Sequence, residues 1–303
     1  MKQIGILSTA TAVKAYLEDL RSRGVKALSL DLEADQGSYR YRYSISIFQC
    51  FDGKDHIVID VLALGSSLDS LRELLEAPDI IKIMFSSKND LFITQNVLGC
   101  GIAPIRDIAA AQKILGLKVN LSDRLGIDKA AKDKFQRANW LVRPISRELL
   151  QYAAGDVAML LEMEAELRAL MTDKRLADRY RDTCAALPRA DYRIDQLRQY
   201  RNKFPGYPRL SKDKKELARL VWVFREFVGE HYDCPVGYIL STKALPAIID
   251  NVTDPGPNMS MEALVDLLTG ELNKGRRPEK RINRNFVVDK LAKAHAAIDG
   301  GFA

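Results

Sequence analysis

Residues 26–39 read KALSLDLEADQGSY, and the run from Lys26 to Ala34 has the composition of a strand about to be buried, interrupted by Asp31 and Glu33. Alternate side chains of a strand share a face, so the two carboxylates project together, their Cα atoms roughly 6.5 Å apart, while Leu30 and Leu32 face the other way. Burying both acids costs on the order of several kcal/mol each unless positive charge offsets it. A divalent cation held by oxygen is the simplest compensation. The competing reading is an exposed strand end whose acids meet lysines, and a lone D-x-E favours that one.

Outward from this strand, a capped helix precedes it at 10–23, and strands at 43–51 and 56–61 follow it across short turns such as FDGKD. Short connections give antiparallel pairs. The rhythm then becomes helix (67–76), strand (80–85), helix (89–98), strand (102–105) and helix (107–115), which yields parallel strands with crossover helices. The first 187 residues thus form an α/β domain on a mixed five-stranded sheet flanked by helices. Prolines and glycines at 188, 205, 206 and 208 mark a connector over 188–208. An all-helical domain is expected over 209–290, opening with a helix at 212–231, and a tail over 291–303. Its core candidates at helical spacing are Leu217, Leu220, Trp222, Phe224, Phe227, Tyr238, Leu240, Ile248, Ile249, Leu264 and Leu267.

Two further stretches bring acids toward the first pair. IIKIMFSSKNDLFITQ runs a buried parallel strand into a helix, with Asp90 in its first turn at the carboxyl end of the strand, where α/β sheets place their sites. In ELLQYAAGDVAMLL, Tyr152 and Asp156 are four apart on one face of a helix starting near Ser146, and that face continues into Met159 and Leu160. Asp156 therefore points into the domain. Asp31, Glu33, Asp90 and Asp156 with Tyr152 form a candidate catalytic site on rigid elements.

SLDLEAD, KIMFSSKNDL and YAAGDVAMLL resemble, in order and spacing, the three motifs of the DEDD 3′–5′ exonucleases, whose fold is ribonuclease H-like. FQRANWLVRPISRELLQYAAGDVAMLL narrows the resemblance to the ribonuclease D branch, over residues 1 to about 185. Position 151 is Gln151 rather than histidine and Tyr152 precedes Asp156 by four, so the chain looks like the tyrosine (DEDDy) kind. Phe85 stands where relatives often carry histidine. The helical remainder resembles, more loosely, the helicase-and-RNase-D C-terminal (HRDC) domain.

The resemblance implies a metal-dependent 3′–5′ exoribonuclease releasing nucleoside 5′-monophosphates, with two divalent cations, Mg²⁺ or Mn²⁺, as cofactors. Asp31, Glu33 and Asp156 would hold one ion to activate the attacking water; Asp31, with Asp90 acting through bound water, would serve a second beside the departing 3′-oxygen. Gln136, Arg137, Trp140 and Arg143 are weaker candidates for substrate contact, as are Tyr39, Arg40 and Arg42 beyond the acidic strand. Tyr207 and Tyr238 are assigned to connector and core. Implied partners are RNA, tRNA precursors foremost, and single-stranded 3′ ends, with a monomer favoured. A DNA exonuclease on the same fold, or a decayed HRDC nucleic-acid-binding protein, are the alternatives.

Composition sets the outer limits. The chain has 303 residues, 47% hydrophobic and 28% charged, long enough for two domains. No segment approaches the ~20 apolar residues of a membrane span and the N-terminus has no cleavage-site pattern, so a cytoplasmic location and no membrane partner are expected. Four scattered cysteines and three scattered histidines lack zinc spacing, which leaves oxygen ligands for any metal. Residues 271–293 carry eight basic residues against three acidic ones, nearly all of the net charge of +6, a composition that favours phosphate backbones. No GxGxxG or P-loop pattern occurs, which removes dinucleotide and P-loop NTPase classes.

Overall fold

The computed structural model describes residues 4–117, 129–253, 261–277 and 280–299. Glu279 of the basic segment and residues 300–303 of the expected tail lie outside them. The described residues divide into two compact units: 1–35 with 43–193, and 36–42 with 194–303.

In the first unit, β1 (Ile4–Leu7) leads into α1 (Ala10–Ser22), β2 (Ala27–Asp35), β3 (Ser44–Phe51) and β4 (His56–Asp60). Then come α2 (Val61–Leu64), α3 (Asp69–Glu76), β5 (Ile81–Met84), α4 (Lys88–Val97), β6 (Ile105–Asp107) and α5 (Ile108–Leu115). Past the undescribed stretch follow α6 (Lys129–Gln136), α7 (Arg147–Ala158), α8 (Leu160–Ala169) and α9 (Lys174–Ala186). The sheet order is β1-β4-β3-β2-β5-β6, antiparallel across β4-β3-β2 and parallel elsewhere.

The sheet therefore has six strands among the described residues, one more than the sequence indicated. The strand that was missed, β1, has only four residues, sits at the edge and leaves Ile6 51% exposed, so it lacks the apolar alternation that marks the others. The last strand begins at Ile105 rather than 102 because Pro104 has no N–H to give the ladder.

Both faces of the central strands are covered. β3 is buried over six consecutive residues, as expected of a strand with helices on either side. Helix α1 presents Val13, Tyr16, Leu17 and Leu20 to one face, with Thr9 capping its first turn at Ala12 N (3.2 Å). The pairing slips by one residue between Glu33 and Ala34, so Ser46 of β3 bulges out of register.

The second unit centres on the 21-residue helix α11 (Lys212–Tyr232), preceded by α10 (Tyr200–Lys203). It is followed by α12 (Val236–Ile239), α13 (Leu245–Thr253), α14 (Met261–Asn273) and α15 (Arg284–Asp299). Ser211 caps the start of α11 and Asp233, at φ 44°, ends it. Gly229 is required where chains meet closely: a Cβ there would lie 2.9 Å from the Tyr41 ring and 2.8 Å from Val236. Tyr41 belongs to the 36–42 segment, which leaves the first unit between β2 and β3 and joins the helical unit, where Arg42 pairs with Glu230 (2.6 Å) and Arg40 with Asp233 (3.8 Å).

Most core residues named from helical spacing are buried here, but Tyr238 is 77% exposed. Its helix α12 has one short turn, and Ile239 with Leu240 fills the available contact. Helix α15 runs through the boundary placed at 290, burying Val287, Leu291 and Ala294. The C-terminal charge is also partly spent internally, since Arg284 pairs with Asp266, Lys293 with Asp289 and Lys274 with Glu271. The four cysteines are free thiols, and no helix among the described residues is long and apolar enough to cross a membrane.

Candidate active site

Asp31, Glu33 and Asp156 come together: one ligand oxygen from each lies within 4.8 Å of the others. Strand β2 supplies the first two from one face, and α7 supplies the third. Asp90, in the first turn of α4 and 8% exposed, stands outside that triad yet close enough for its charge to act on Glu33 and for Asp31 to act on it.

Among the described residues, no basic side chain is among the charges acting on Asp31, Glu33 or Asp90. The exposed strand end with lysine partners is thereby ruled out. Burial first, and then the Asp156 charge, pushes the Asp31 carboxyl up to about 7. Burial followed by Asp31, Asp156 and Asp90 raises Glu33 well above the carboxylate range; burial followed by Asp31 and Asp107 does the same for Asp90. Converging carboxylates with uncompensated charge are a donor set fitted to hard divalent cations.

Tyr152 is 9% exposed and hydrogen-bonded to Asp156. Burial and the Asp156 charge raise its pKa, so in the metal-free site the phenol keeps its proton and donates to Asp156. Its ring stacks on Phe135 at 4.6 Å with Trp140 behind, at 6.3 Å.

Helix α7 is aimed by a network built on the Ser46 bulge. Arg143 donates to both carboxylate oxygens of Asp60 (2.8 Å each), to Ser46 O and Oγ (3.2 and 3.0 Å) and to Trp140 O (2.8 Å). Ser46 Oγ donates to the same Trp140 carbonyl at 2.5 Å, and Ser146, three residues past Arg143, caps α7. This bidentate anchor fixes where the helix starts, and hence where Tyr152 and Asp156 arrive.

The weaker substrate candidates therefore divide. Trp140, 3% exposed with its indole N–H on Phe135 O (3.1 Å), and Arg143 are committed to packing and anchoring rather than to a free surface. Gln136 and Arg137 are exposed at the end of α6. Tyr39, 46% exposed, and Arg40 lie in the segment that belongs to the helical unit, as does Arg42.

One site residue escaped the sequence reading. Gln49, fully buried on β3 and directly opposite Asp31 in the register, donates its amide N–H to Asp31 Oδ2 at 2.7 Å, and its Oε1 has no partner among the described residues. A glutamine amid the apolar strand SISIFQCF was the available signal. A cavity of about 680 Å³ lined by Pro104, Met171 and Tyr180 contains none of the site carboxylates.

A family profile described as 3′–5′ exonuclease (the DNA pol A exo1 type) matches residues 4–172, more than half of the chain. The chain belongs to the 3′–5′ exonuclease family. Within that family it is 26% identical over 268 residues to the exosome complex exonuclease RRP6 of Saccharomyces cerevisiae, covering 80% of this chain and 35% of that one. It is 28% identical over 236 residues to ribonuclease D of Haemophilus influenzae, covering 74% and 57%. The chain thus spans about a third to just over half of the length of these relatives. The crystal structure of Escherichia coli RNase D, an exoribonuclease involved in structured RNA processing, superposes with a TM-score of 0.71 at 20% identity, over 99% of this chain and 77% of that one. The match extends the shared fold through the helical unit.

Proposed function

We propose that this 3′–5′ exonuclease is a metal-dependent exoribonuclease that removes nucleoside 5′-monophosphates from RNA 3′ ends, tRNA precursors and other structured RNAs among them. The observation that carries the reading is the Asp31, Glu33 and Asp156 triad in a chain whose relatives include ribonuclease D and RRP6. Asp31, Glu33 and Asp156 would hold Mg²⁺ or Mn²⁺ with Asp90 contributing from the side; bound there, two such ions supply Lewis acidity at the scissile phosphate. The chain's own part is positioning. Gln49 fixes the rotamer of Asp31, and the Tyr152 hydroxyl, hydrogen-bonded to Asp156, would orient the attacking water. The helical unit is assigned an HRDC-like role, holding the RNA body, and Arg277, Lys280 and Arg281 are cations without an acid partner among its described residues. A monomer in the cytoplasm completes the reading.

Side-by-side digestion of 3′-extended tRNA, single-stranded RNA and single-stranded DNA, with Mg²⁺, Mn²⁺ or chelator, tests it. Mononucleotide release from both RNAs, abolished by chelator and slower on DNA, is the expected result. Release that survives chelation, or DNA turned over faster than RNA, overturns it.

The raised carboxyls give a second test. In the metal-free protein, folded Asp31, Glu33 and Asp90 bind protons that the unfolded chain has already released, so their contribution to stability is greatest at acid pH and falls as pH rises from about 4 through 7. Cation binding needs the ionised forms and so gains with pH. Thermal melts should show Mn²⁺ raising Tm by about 5 °C at pH 8 and by far less at pH 5.5. Equal shifts at both pH values would remove the carboxylates as ligands.

A further inference from the structure

Strands β2 and β5 run parallel with Ser29 paired to Ile83, so the loop after β5 sits at the same end of the sheet as the carboxylates that follow Ser29 on β2. That loop also lines a second pocket, of about 310 Å³, within the exonuclease unit. Three elements each send one long cation to it: Lys88 from the start of α4, Lys113 from the last turn of α5 and Arg179 from the middle of α9. All three are exposed, and none has an ion pair or side-chain hydrogen bond among the described residues. Their neighbours behave otherwise: Arg106 is held by Glu164 at 3.1 Å, and Arg181 by Asp178 at 2.9 Å.

Two hydroxyls, those of Ser86 and Thr183, complete the polar lining. The one acid there, Asp107, is 3% exposed and already saturated. Its Oδ2 accepts from Ser87 N and Oγ (2.7 Å each), and its Oδ1 accepts from Ala110 N (3.0 Å). Those bonds hold the loop so that Ser86 sits at φ 60°, a left-handed conformation costing a non-glycine residue on the order of 1 kcal/mol. Three unpaired cations gathered against one spent carboxylate repel each other when nothing is bound. A group bearing negative charge on several oxygens relieves that repulsion and fits lysine, guanidinium and hydroxyl donors alike.

We propose that Lys88, Lys113 and Arg179 form a phosphate-binding subsite for the RNA backbone away from the scissile bond. The subsite rests on the exoribonuclease reading above and adds to it that the exonuclease unit grips its own substrate. The pocket has room for a backbone phosphate, not for a folded ligand, and no sequence-specific contact is expected of it.

The test uses the full chain carrying K113A and R179A together, which leaves the site carboxylates and Lys88, two residues before Asp90, untouched. Substrates are a trinucleotide, a 20-nucleotide single strand and a hairpin with a short 3′ overhang; binding is read by anisotropy in chelator and turnover in Mn²⁺. KM for the long RNAs should rise about tenfold with kcat unchanged, and the slope of log affinity against log salt should flatten by about 1.5, two phosphate contacts' worth. The trinucleotide should be cut as before, and Lys113→Arg with Arg179→Lys should restore parental values. Effects on the single strand alone place its own upstream phosphates in the subsite; effects on the hairpin alone place the duplex there.

Unchanged KM and slope on both long RNAs overturn the proposal, as does an equal loss on the trinucleotide. Loss of binding to a poly-glutamate peptide with RNA affinity intact would overturn it in favour of an acidic protein partner. A parent enzyme that cuts none of the three substrates defeats the exoribonuclease reading instead.

Discussion

Asp31→Asn is expected to lower kcat by about a thousandfold or more while leaving the protein folded and, without metal, more stable than the parent at pH 8. The substitution keeps the shape and removes one charge. The asparagine amide can accept from Gln49 Nε2 as Asp31 does at 2.7 Å, or donate to Gln49 Oε1, which has no partner in the parent. It also removes the charge whose burial, and after that repulsion from Asp156, pushes Asp31 up to about 7, and which adds to the effect of burial in raising Glu33 and Asp90. Each carboxylate so relieved returns part of its burial cost to stability, and the gain is larger at high pH, where the parent's acids are forced to ionise. Catalysis moves the other way, because charge preorganised for the transition state is lost from the centre of the triad, a change that acts on this scale in comparable sites. Single-turnover release of mononucleotide from a 3′-labelled RNA, set beside melts in chelator at pH 5.5 and 8, measures both. Undiminished turnover would show that Asp31 holds no catalytic ion; lost turnover with lost stability would make it a structural residue.

The triad could be found from local pattern because its acids break local rules: two lie inside an apolar strand and the third on the inner face of a helix. Violations of that kind are legible without knowing what lies opposite. What lies opposite is what was not legible. Gln49 matters only through a cross-strand register that places it against Asp31, and Arg143 only through Asp60 and a bulge at Ser46, each more than 80 residues away in the chain. Read alone, Arg143 and Trp140 look like substrate contacts because they are polar-tipped and adjacent to a motif. The same holds for 36–42, which follows the acidic strand in sequence yet packs with α11 through Tyr41 and Arg42. Net charge is legible only in part for a related reason: composition counts Glu271 and Asp289 without pairing them with Lys274 and Lys293, and does not see Asp266 beside Arg284.

In the helical unit the largest effect falls on Arg225, which is 1% exposed. Its guanidinium lies 4.0 Å over the Trp222 ring, donates to Thr242 Oγ1 at 2.9 Å and Leu240 O at 3.4 Å, and faces Glu226 at 3.4 Å. Glu226, 3% exposed, accepts in addition from the Tyr41 hydroxyl. Burial pulls the Arg225 pKa down and the Glu226 pKa up, so each charge is tolerated chiefly because the other is there. Arg225→Ala removes one of them, opens a cavity beside Trp222 and strands a buried carboxylate; a loss of about 3–5 kcal/mol is expected. The sign of its pH dependence follows. With the arginine gone Glu226 rises further, its neutral form is the one that folds, and the deficit grows as pH climbs from 5 to 8. Joint replacement with Arg225→Met and Glu226→Gln should recover most of the loss, because nothing charged is left buried. The chain has two tryptophans, so a Trp140→Phe background leaves Trp222 as the reporter of this unit in urea titrations. A deficit below about 1 kcal/mol, or one flat with pH, would mean that the pair is held together by packing around Trp222 and not by its charges.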